Sequence, residues 1–415
     1  MKKYGCIGKK LTHSFSKEIH AKLADYDYDL IELTEEKIAS FFEKKEFAAI
    51  NVTIPYKQTV IPYLDSISTI AERIGAVNTI VNKDGKLYGY NTDYYGMKAL
   101  IEKAGIELKC KKVLVLGTGG TSKTARVVAA DMGASQILVV SRSEAEGYIT
   151  YAEAVRAHGD ADVIINTTPS GMYPDCESKP IDISSFPKLE GVIDVVYNPL
   201  CTNLVLDAQQ RGIKATGGLY MLVMQAVVAV ERFLDTSIPK EVADSVFASI
   251  YSAKENVVLT GMPGSGKSTV GKQLNIDGFT FVDTDEEIEK RCGCSIKQLI
   301  ETKGEQYFRD LESAVIKEVS SLSCRIISTG GGAILREENV RCLKRNGKLF
   351  FLNAELSRLQ ATDSRPLSDT SEKLKKLYAE RMPIYQATAD VTVPDMAVPQ
   401  ADVDYILTRR KELVL

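Results

Sequence analysis

The chain has 415 residues, enough for two to four domains that each bury a core, so two catalytic units fit within it. Its 52 Lys and Arg stand against 55 Asp and Glu, a formal charge of −3 with both signs interspersed, which argues against nucleic acid or an anionic membrane surface as a partner. Eight scattered cysteines read as reduced thiols of a cytoplasmic protein, the N-terminus lacks the apolar core of a signal peptide, and the longest apolar run, Tyr220 to Val230, is too short to cross a bilayer. Cys292-Gly293-Cys294 makes no metal site, because His13, His20 and His158 all lie in the other half.

Apolar runs rich in β-branched residues alternate with helix-period segments throughout, which predicts α/β layers around parallel sheets. Residues 1 to about 100 form a first set. Within it His13-Ser14-Phe15-Ser16, Asn51-Val52-Thr53-Ile54-Pro55-Tyr56-Lys57, Ala76-Val77-Asn78-Thr79 and Asn91-Thr92-Asp93 put hydroxyls, amides or charges at the ends of apolar strands. A site for a polyhydroxylated acid needs such groups. Reducing a ketone builds alkoxide charge, and Lys57, oriented by Asp93, could donate the proton that quenches it.

A strand at Lys112–Leu116 then enters Gly117-Thr118-Gly119-Gly120-Thr121-Ser122, a dinucleotide fingerprint with Ser122 in place of the third glycine. A helix from Ser122 to Met132 and a strand Ile137–Val140 follow, ending in Ser141-Arg142-Ser143. An acid at that place binds the ribose 2′-hydroxyl of NAD, whereas an arginine favours the 2′-phosphate of NADP. Only Glu144 to Tyr148 separate this strand from the next extended stretch, Ile149–Tyr151, and a parallel crossover takes a dozen residues or more. The spacing predicts that the crossover helix is missing and that one sheet edge is truncated or rearranged. Gln225, inside the apolar helix 219–230, needs a buried partner, and a substrate hydroxyl is the expected one. Thr236 to Ala253 reads as a helix, and the main boundary falls near residue 254 with no Gly/Ser or Pro tether, which predicts close packing or a stiff connection.

Together with Asn166-Thr167-Thr168-Pro169-Ser170-Gly171, Asp194-Val195-Val196-Tyr197 and Gly218 to Gln225, these clusters resemble shikimate dehydrogenase over residues 1 to about 250. The resemblance implies Ser14, Ser16, Thr53, Asn78, Asp93 and Gln225 around the substrate, Lys57 as the catalytic residue with Asp93 its partner, and Tyr197 between substrate and nicotinamide. Gly117, Gly119, Gly120, Thr121, Ser141, Arg142 and Gly218 would bind NADP. The family usually carries Asn-Arg-Thr-x-x-Arg after the second cofactor-domain strand. Here Glu146 replaces the second arginine, which is expected to weaken the NADP preference.

The second half opens on strand 257–259 and Gly261-Met262-Pro263-Gly264-Ser265-Gly266-Lys267-Ser268, a complete phosphate loop leading into a helix. Its glycines let backbone N–H groups converge on phosphates, Lys267 spans the terminal ones and Ser268 offers its hydroxyl to Mg2+. Strand Phe279–Val282 ends in Asp283-Thr284-Asp285. Alternation would point both acids to one side, one near magnesium and one as a base; a helix cap followed by first-turn acids explains the same residues. Arg309 and Glu312 lie three apart on one helical face. Strand Ile326–Thr329 ends in Gly330-Gly331-Gly332, read as a close backbone approach to a ligand.

With Arg365-Pro366-Leu367 and Glu380-Arg381 to Tyr385, residues 255 to 415 resemble shikimate kinase. That resemblance implies Asp285, Arg309, Gly331 and Arg381 around shikimate, with Asp285 the base and the arginines on the carboxylate. It implies Asp283 beside Ser268 at Mg2+, and Gly264, Ser265, Gly266, Lys267, Ser268 and Thr269 on ATP. Arg365 would close over the phosphates, and Arg358 would stack near adenine. Ser368 stands where the family usually has a second leucine.

The expected architecture is α/β: a substrate-binding domain (1–100, completed by 219–253), a Rossmann-like NADP domain (101–218) and a phosphate-loop kinase domain with a parallel sheet like that of nucleoside monophosphate kinases (255–415). The expected activity is NADPH-dependent reduction of 3-dehydroshikimate to shikimate, then ATP- and Mg2+-dependent phosphorylation of shikimate, by a monomer or homodimer. Two alternatives stay open: a non-catalytic shikimate- or quinate-sensing protein, and an active kinase joined to a relaxed dehydrogenase that takes quinate or NAD.

Overall fold

The structure is a computed structural model that describes residues 3–11, 15–359 and 370–413. The chain divides into two compact units, Met1–Ile250 and Tyr251–Leu415, and the division falls within the helix Lys240–Lys254.

The first unit holds two six-stranded sheets. One is mixed and comprises β1 (Tyr4–Gly8), β2 (Tyr28–Glu32), β3 (Ala49–Val52), β4 (Ser66–Ile67), β5 (Thr79–Lys83) and β6 (Lys86–Tyr90), in the order β2-β1-β3-β5-β6-β4. The other is wholly parallel: β7 (Lys112–Leu116), β8 (Gln136–Ser141), β9 (Ile149–Thr150), β10 (Val163–Asn166), β11 (Gly191–Asp194) and β12 (Lys214–Thr216), ordered β12-β11-β10-β7-β8-β9. β7 shows why these residues make a central parallel strand. Val113 and Val115 enter one apolar cluster with the helix Asp93–Lys103, while Leu114 and Leu116 enter another on the opposite face. A strand covered on both faces reads as a continuous apolar run, as this one does.

The expected irregularity at the sheet edge is present. β9 is two residues long, pairs Ile149 with Val140 and Thr150 with Ser141, and follows β8 with no helix between.

The second unit is a five-stranded parallel sheet of β13 (Asn256–Thr260), β14 (Thr280–Asp283), β15 (Arg325–Ser328), β16 (Gly347–Leu352) and β17 (Val391–Val393), ordered β14-β15-β13-β16-β17. Val258 faces one core, and Val257 and Leu259 the other. The register aligns Asp283 and Leu259 with Ser328, so Thr260, Asp283 and Ser328 end their strands at one carboxyl edge, where open parallel sheets bind ligands. One expectation needs correction: Asp285 does not alternate with Asp283 along a strand. β14 stops at Asp283, whose side chain caps the helix Thr284–Cys292, and Asp285 lies in that helix's first turn.

Candidate active sites

In the first unit the turn after β3 carries Lys57, and the helix Asp93–Lys103 begins with Asp93. Lys57 Nζ donates to Asp93 Oδ2 at 2.5 Å, with the two side chains 15% and 9% exposed. Each end of the pair is anchored. Val77 N–H donates to Lys57 O and the Tyr56 hydroxyl to Leu33 O, which fixes the turn. Ahead of Asp93, Thr92 N–H donates to Asn78 Oδ1 at 2.7 Å, and the Thr92 hydroxyl lies 3.0 Å from Asn78 Nδ2 and 3.1 Å from Thr79 Oγ1. Asn78 is buried and spends its amide on this anchor.

Gln225 stands beside the same cluster. A Cβ on Gly96 would lie 2.5 Å from Met221 O, so the helices Asp93–Lys103 and Leu219–Leu234 approach closely only because residue 96 is glycine. The expected substrate hydroxyl is not needed as a partner for Gln225: its amide donates to Leu222 O at 2.9 Å, and Thr92 Oγ1 reaches its oxygen at 3.4 Å. Thr53 follows β3, with its methyl 2.6 Å from where a Cβ on Gly8 would be, and Ser16 opens the helix Ser16–Leu23. Tyr197 packs its ring 5.3 Å from that of Phe15, and burial raises its hydroxyl pKa. Ser14 lies outside the described residues.

The Gly-rich turn follows β7. Gly117 has φ 101°, and a Cβ there would collide with Thr168 and Thr167. Gly119 caps the helix Gly120–Asp131 with nothing within 4 Å of a Cβ placed on it, which is the open approach a pyrophosphate needs at a helix N-terminus. Thr121 is half-buried in the first turn. A Cβ on Gly120 would lie 3.9 Å from Lys57 Cδ, so Lys57 stands beside the start of this helix. Gly218 is glycine for packing, since a Cβ would lie 2.1 Å from Val195 O. Ser141 is buried and accepts from Ser143 N–H, whereas Arg142 is exposed. Below this edge Asp194, its carboxyl pushed up to about 6 by burial, holds Asn166, Thr202 and Val196 N–H, a network that the spacing did not reveal.

In the second unit, Gly264 (φ 85°) and Gly266 (φ 88°) turn the loop into the helix Lys267–Gln273, with Thr269 in its first turn. Lys267 Nζ is buried and donates to Gly261 O and Met262 O at 3.0 and 2.9 Å. The Ser268 hydroxyl donates to Asp283 Oδ2 at 2.6 Å, while Asp283 Oδ1 accepts from Asp285 N–H. Asp283 therefore caps a helix and also presents an oxygen beside Ser268. Two adjacent hard oxygen donors fit a magnesium ion, and the buried Ser265 Oγ, which has no hydrogen-bond partner, fits a phosphate acceptor at this loop. A cleft beside the loop is lined by Gly264, Gly266, Asn353, Arg358, Pro399 and Asp402, and Arg358 is held there by Asp395 and Ala397 O.

The neighbouring site is acidic and basic at once. Arg309 Nη1 donates to Glu312 Oε2 at 2.8 Å, and Arg381 Nη1 to Gly331 O at 2.9 Å. Asp285 Oδ1 and Glu312 Oε1 are buried without a partner, an arrangement that suits a ligand rich in hydroxyl donors. Burial, reinforced by the charges of Asp283 and Glu312, pushes the Asp285 carboxyl up to about 7.

The three glycines after β15 make room for the protein itself. A Cβ on Gly330 would meet Asp285 Oδ1 and Glu312 Oε1, one on Gly331 would meet Pro263, and one on Gly332 would meet the Arg309 guanidinium. Sequence reasoning left Glu312 and Tyr385 out of the site. The first had a signal in its spacing from Arg309; the second, whose hydroxyl reaches Gly261 O and Gly331 O, had none. Arg365 and Ser368 lie outside the described residues.

Two family models match the chain: "Shikimate dehydrogenase substrate binding domain" over residues 6–80 and "Shikimate kinase" over residues 263–411. The chain is 37% identical over 268 residues to a shikimate dehydrogenase (NADP(+)) of Clostridium perfringens, which covers 60% of this chain and 98% of that relative. Among solved structures, shikimate dehydrogenase 1 of Peptoclostridium difficile is similar at 35% identity and TM-score 0.56, over 60% of this chain and 98% of that one. A chorismate mutase/shikimate 5-dehydrogenase fusion protein of Clostridium acetobutylicum is similar at 36% identity and TM-score 0.57, over 60% and 97%. The Thermus thermophilus shikimate 5-dehydrogenase, solved with NADP(H) and shikimate, is similar at 26% identity and TM-score 0.55, over 60% and 99%.

Proposed function

We infer, from a chain that belongs to the shikimate dehydrogenase family and carries a shikimate kinase domain behind that region, a bifunctional shikimate-pathway enzyme. It reduces 3-dehydroshikimate to shikimate with NADPH and then phosphorylates the 3-hydroxyl of shikimate with ATP and Mg2+. The observation that carries the first step is the Lys57–Asp93 pair beside the Gly120 helix start. For the second it is the convergence of Ser268, Asp283 and Asp285 at one sheet edge.

In the reductase, bound NADPH supplies the hydride, and Gly117, Gly119, Gly120, Thr121, Ser141, Arg142 and Gly218 would hold it. Lys57 Nζ would give its proton to the oxygen of the former ketone, while Asp93 keeps that nitrogen in place. Ser14, Ser16, Thr53, Asn78, Tyr197 and Gln225 would surround the ring. Asn78 would do so from a position locked by Thr92, which limits its drift and so preserves the attack geometry.

In the kinase, Mg2+ neutralises developing phosphate charge when bound, with Ser268 and Asp283 as its protein oxygens. Gly264, Ser265, Gly266, Lys267 and Thr269 would hold the phosphates, Arg358 the adenine and Arg365 the closed phosphates. Arg309 and Arg381 would grip the shikimate carboxylate with Gly331 alongside. Asp285, with its carboxyl near 7, would take the proton of the attacking hydroxyl, since a base is most effective near the working pH.

We assign 1–100 with 219–253 to substrate binding, 101–218 to NADP and 255–415 to phosphoryl transfer, in a monomer or homodimer of the cytoplasm without a nucleic-acid partner. Among the described residues no helix is long and apolar enough to cross a membrane. Steady-state rates with 3-dehydroshikimate and NADPH, then with added ATP and Mg2+, test the reading. Purified chain that consumes neither cofactor would refute it.

A further inference from the structure

We propose that the loop joining β8 to β9 lets the dehydrogenase half turn over NADH as well as NADPH, with only a weakened preference for NADPH that Arg142 and Glu146 set; this rests on the dehydrogenase reading above. The residues that follow the second strand of a dinucleotide-binding sheet meet the adenosine ribose, and two chemistries suit that place. A carboxylate accepts from the 2′-hydroxyl of NAD, whereas a cation meets the 2′-phosphate of NADP. This chain offers both, because Arg142 is followed by Glu144 and Glu146.

All three side chains are exposed, and among the described residues no ion pair or hydrogen bond joins either glutamate to Arg142. The acids therefore do not neutralise the cation by direct pairing. They also remain near it. Because Ile149 pairs with Val140 and Thr150 with Ser141, the chain leaves the sheet and returns using residues 142–148 alone. Glu144 is three residues beyond Ser141 and Glu146 three before Ile149, so each backbone position lies within about 11 Å of the strand ends. That upper bound is comparable to the Debye length of about 10 Å at 0.1 M salt, so salt screens the charges only in part when the segment is more compact than its fullest reach. A longer crossover with a helix would have separated them.

The Arg142 charge is felt at the helix that follows β9. Burial raises the Tyr151 hydroxyl pKa at the start of the helix Tyr151–Ala157, and the Arg142 charge offsets part of that rise. Arg142 thus supplies the one positive charge of the segment 142–147, and the two glutamates leave that segment net negative. A dianionic 2′-phosphate gains from Arg142 and loses to Glu144 and Glu146. A neutral 2′-hydroxyl meets no such penalty and can donate to either carboxylate.

The test measures kcat/KM for 3-dehydroshikimate reduction with NADPH and with NADH at about 0.1 M ionic strength, using the full-length chain, Glu146→Arg and Arg142→Ala. The wild-type preference for NADPH is expected to lie below about thirtyfold. Glu146→Arg should raise that preference by about tenfold, mainly through a lower KM for NADPH, because it reverses one charge facing the phosphate. Arg142→Ala should move the ratio the other way. A wild-type preference for NADPH well above thirtyfold, or a ratio that Glu146→Arg leaves unmoved, overturns the proposal. The wild-type ratio decides by itself if a variant fails to fold. Absence of turnover with both cofactors would instead overturn the dehydrogenase reading and this inference with it.

Discussion

Replacing Gly330 by alanine should cripple phosphoryl transfer while leaving reduction intact. An added Cβ would lie 2.6 Å from Asp285 Oδ1 and 2.7 Å from Glu312 Oε1, where ordinary contact begins at 3.4 Å. The backbone itself accepts alanine, because Gly330 is not among the glycines with positive φ, so the effect is one of space. Both carboxylates are hard to move. Asp285 sits in the first turn of a capped helix, and Glu312 is fully buried and tied to Arg309. Relief therefore requires the base to shift by about 0.8 Å, and a misplacement of about 1 Å costs roughly 10²-fold in rate. That loss corresponds to about 2.7 kcal/mol of barrier. ADP release with shikimate, ATP and Mg2+ reports kcat, and NADPH oxidation on the same preparation reports the reductase. Gly332→Ala is the companion: its Cβ meets the far end of Arg309, a flexible chain, so KM for shikimate should rise more than kcat falls. A Gly330→Ala kinase within about threefold of wild-type kcat would refute the steric argument.

Lys57→Ala should lower reductase kcat by about 10²- to 10⁴-fold and leave ADP release near wild type; equal loss of both activities would point to misfolding instead. Asp285→Asn should do the converse by a similar factor of about 10² to 10⁴, and wild-type kinase kcat should decline as pH falls below about 7, where Asp285 becomes protonated. His20 supplies a stability test. Burial lowers its pKa from 6.5 to about 3, so the unfolded chain binds a proton that the folded chain refuses between those values. Stability should be complete above pH 6.5 and decline as pH falls toward 3, by about 2 kcal/mol at pH 5. Urea denaturation of wild type and His20→Phe at pH 7 and 5 checks it; an unchanged acid sensitivity in the variant would exonerate His20.

Features set by near neighbours were legible in the sequence. The phosphate loop announced itself because Gly264 and Gly266 take positive φ and the next helix begins at Lys267. β7 was recognisable as an apolar strand leading into a Gly-rich turn, and the short β8–β9 connection left no room for a helix. Arg309 and Glu312 meet because they are one helical step apart. Other features were decided only in three dimensions. Gln225 is satisfied partly by Thr92, 133 residues away, and Tyr385 reaches Gly261 and Gly331 from 124 and 54 residues away. The glycines at 330–332 predicted a close approach, yet the groups that approach are Asp285, Glu312, Pro263 and Arg309. Backbone preference and periodicity are properties of a few adjacent residues, so the sequence records them directly. Which side chain fills the space beside a glycine depends on how distant elements pack, and only the folded chain brings those elements together.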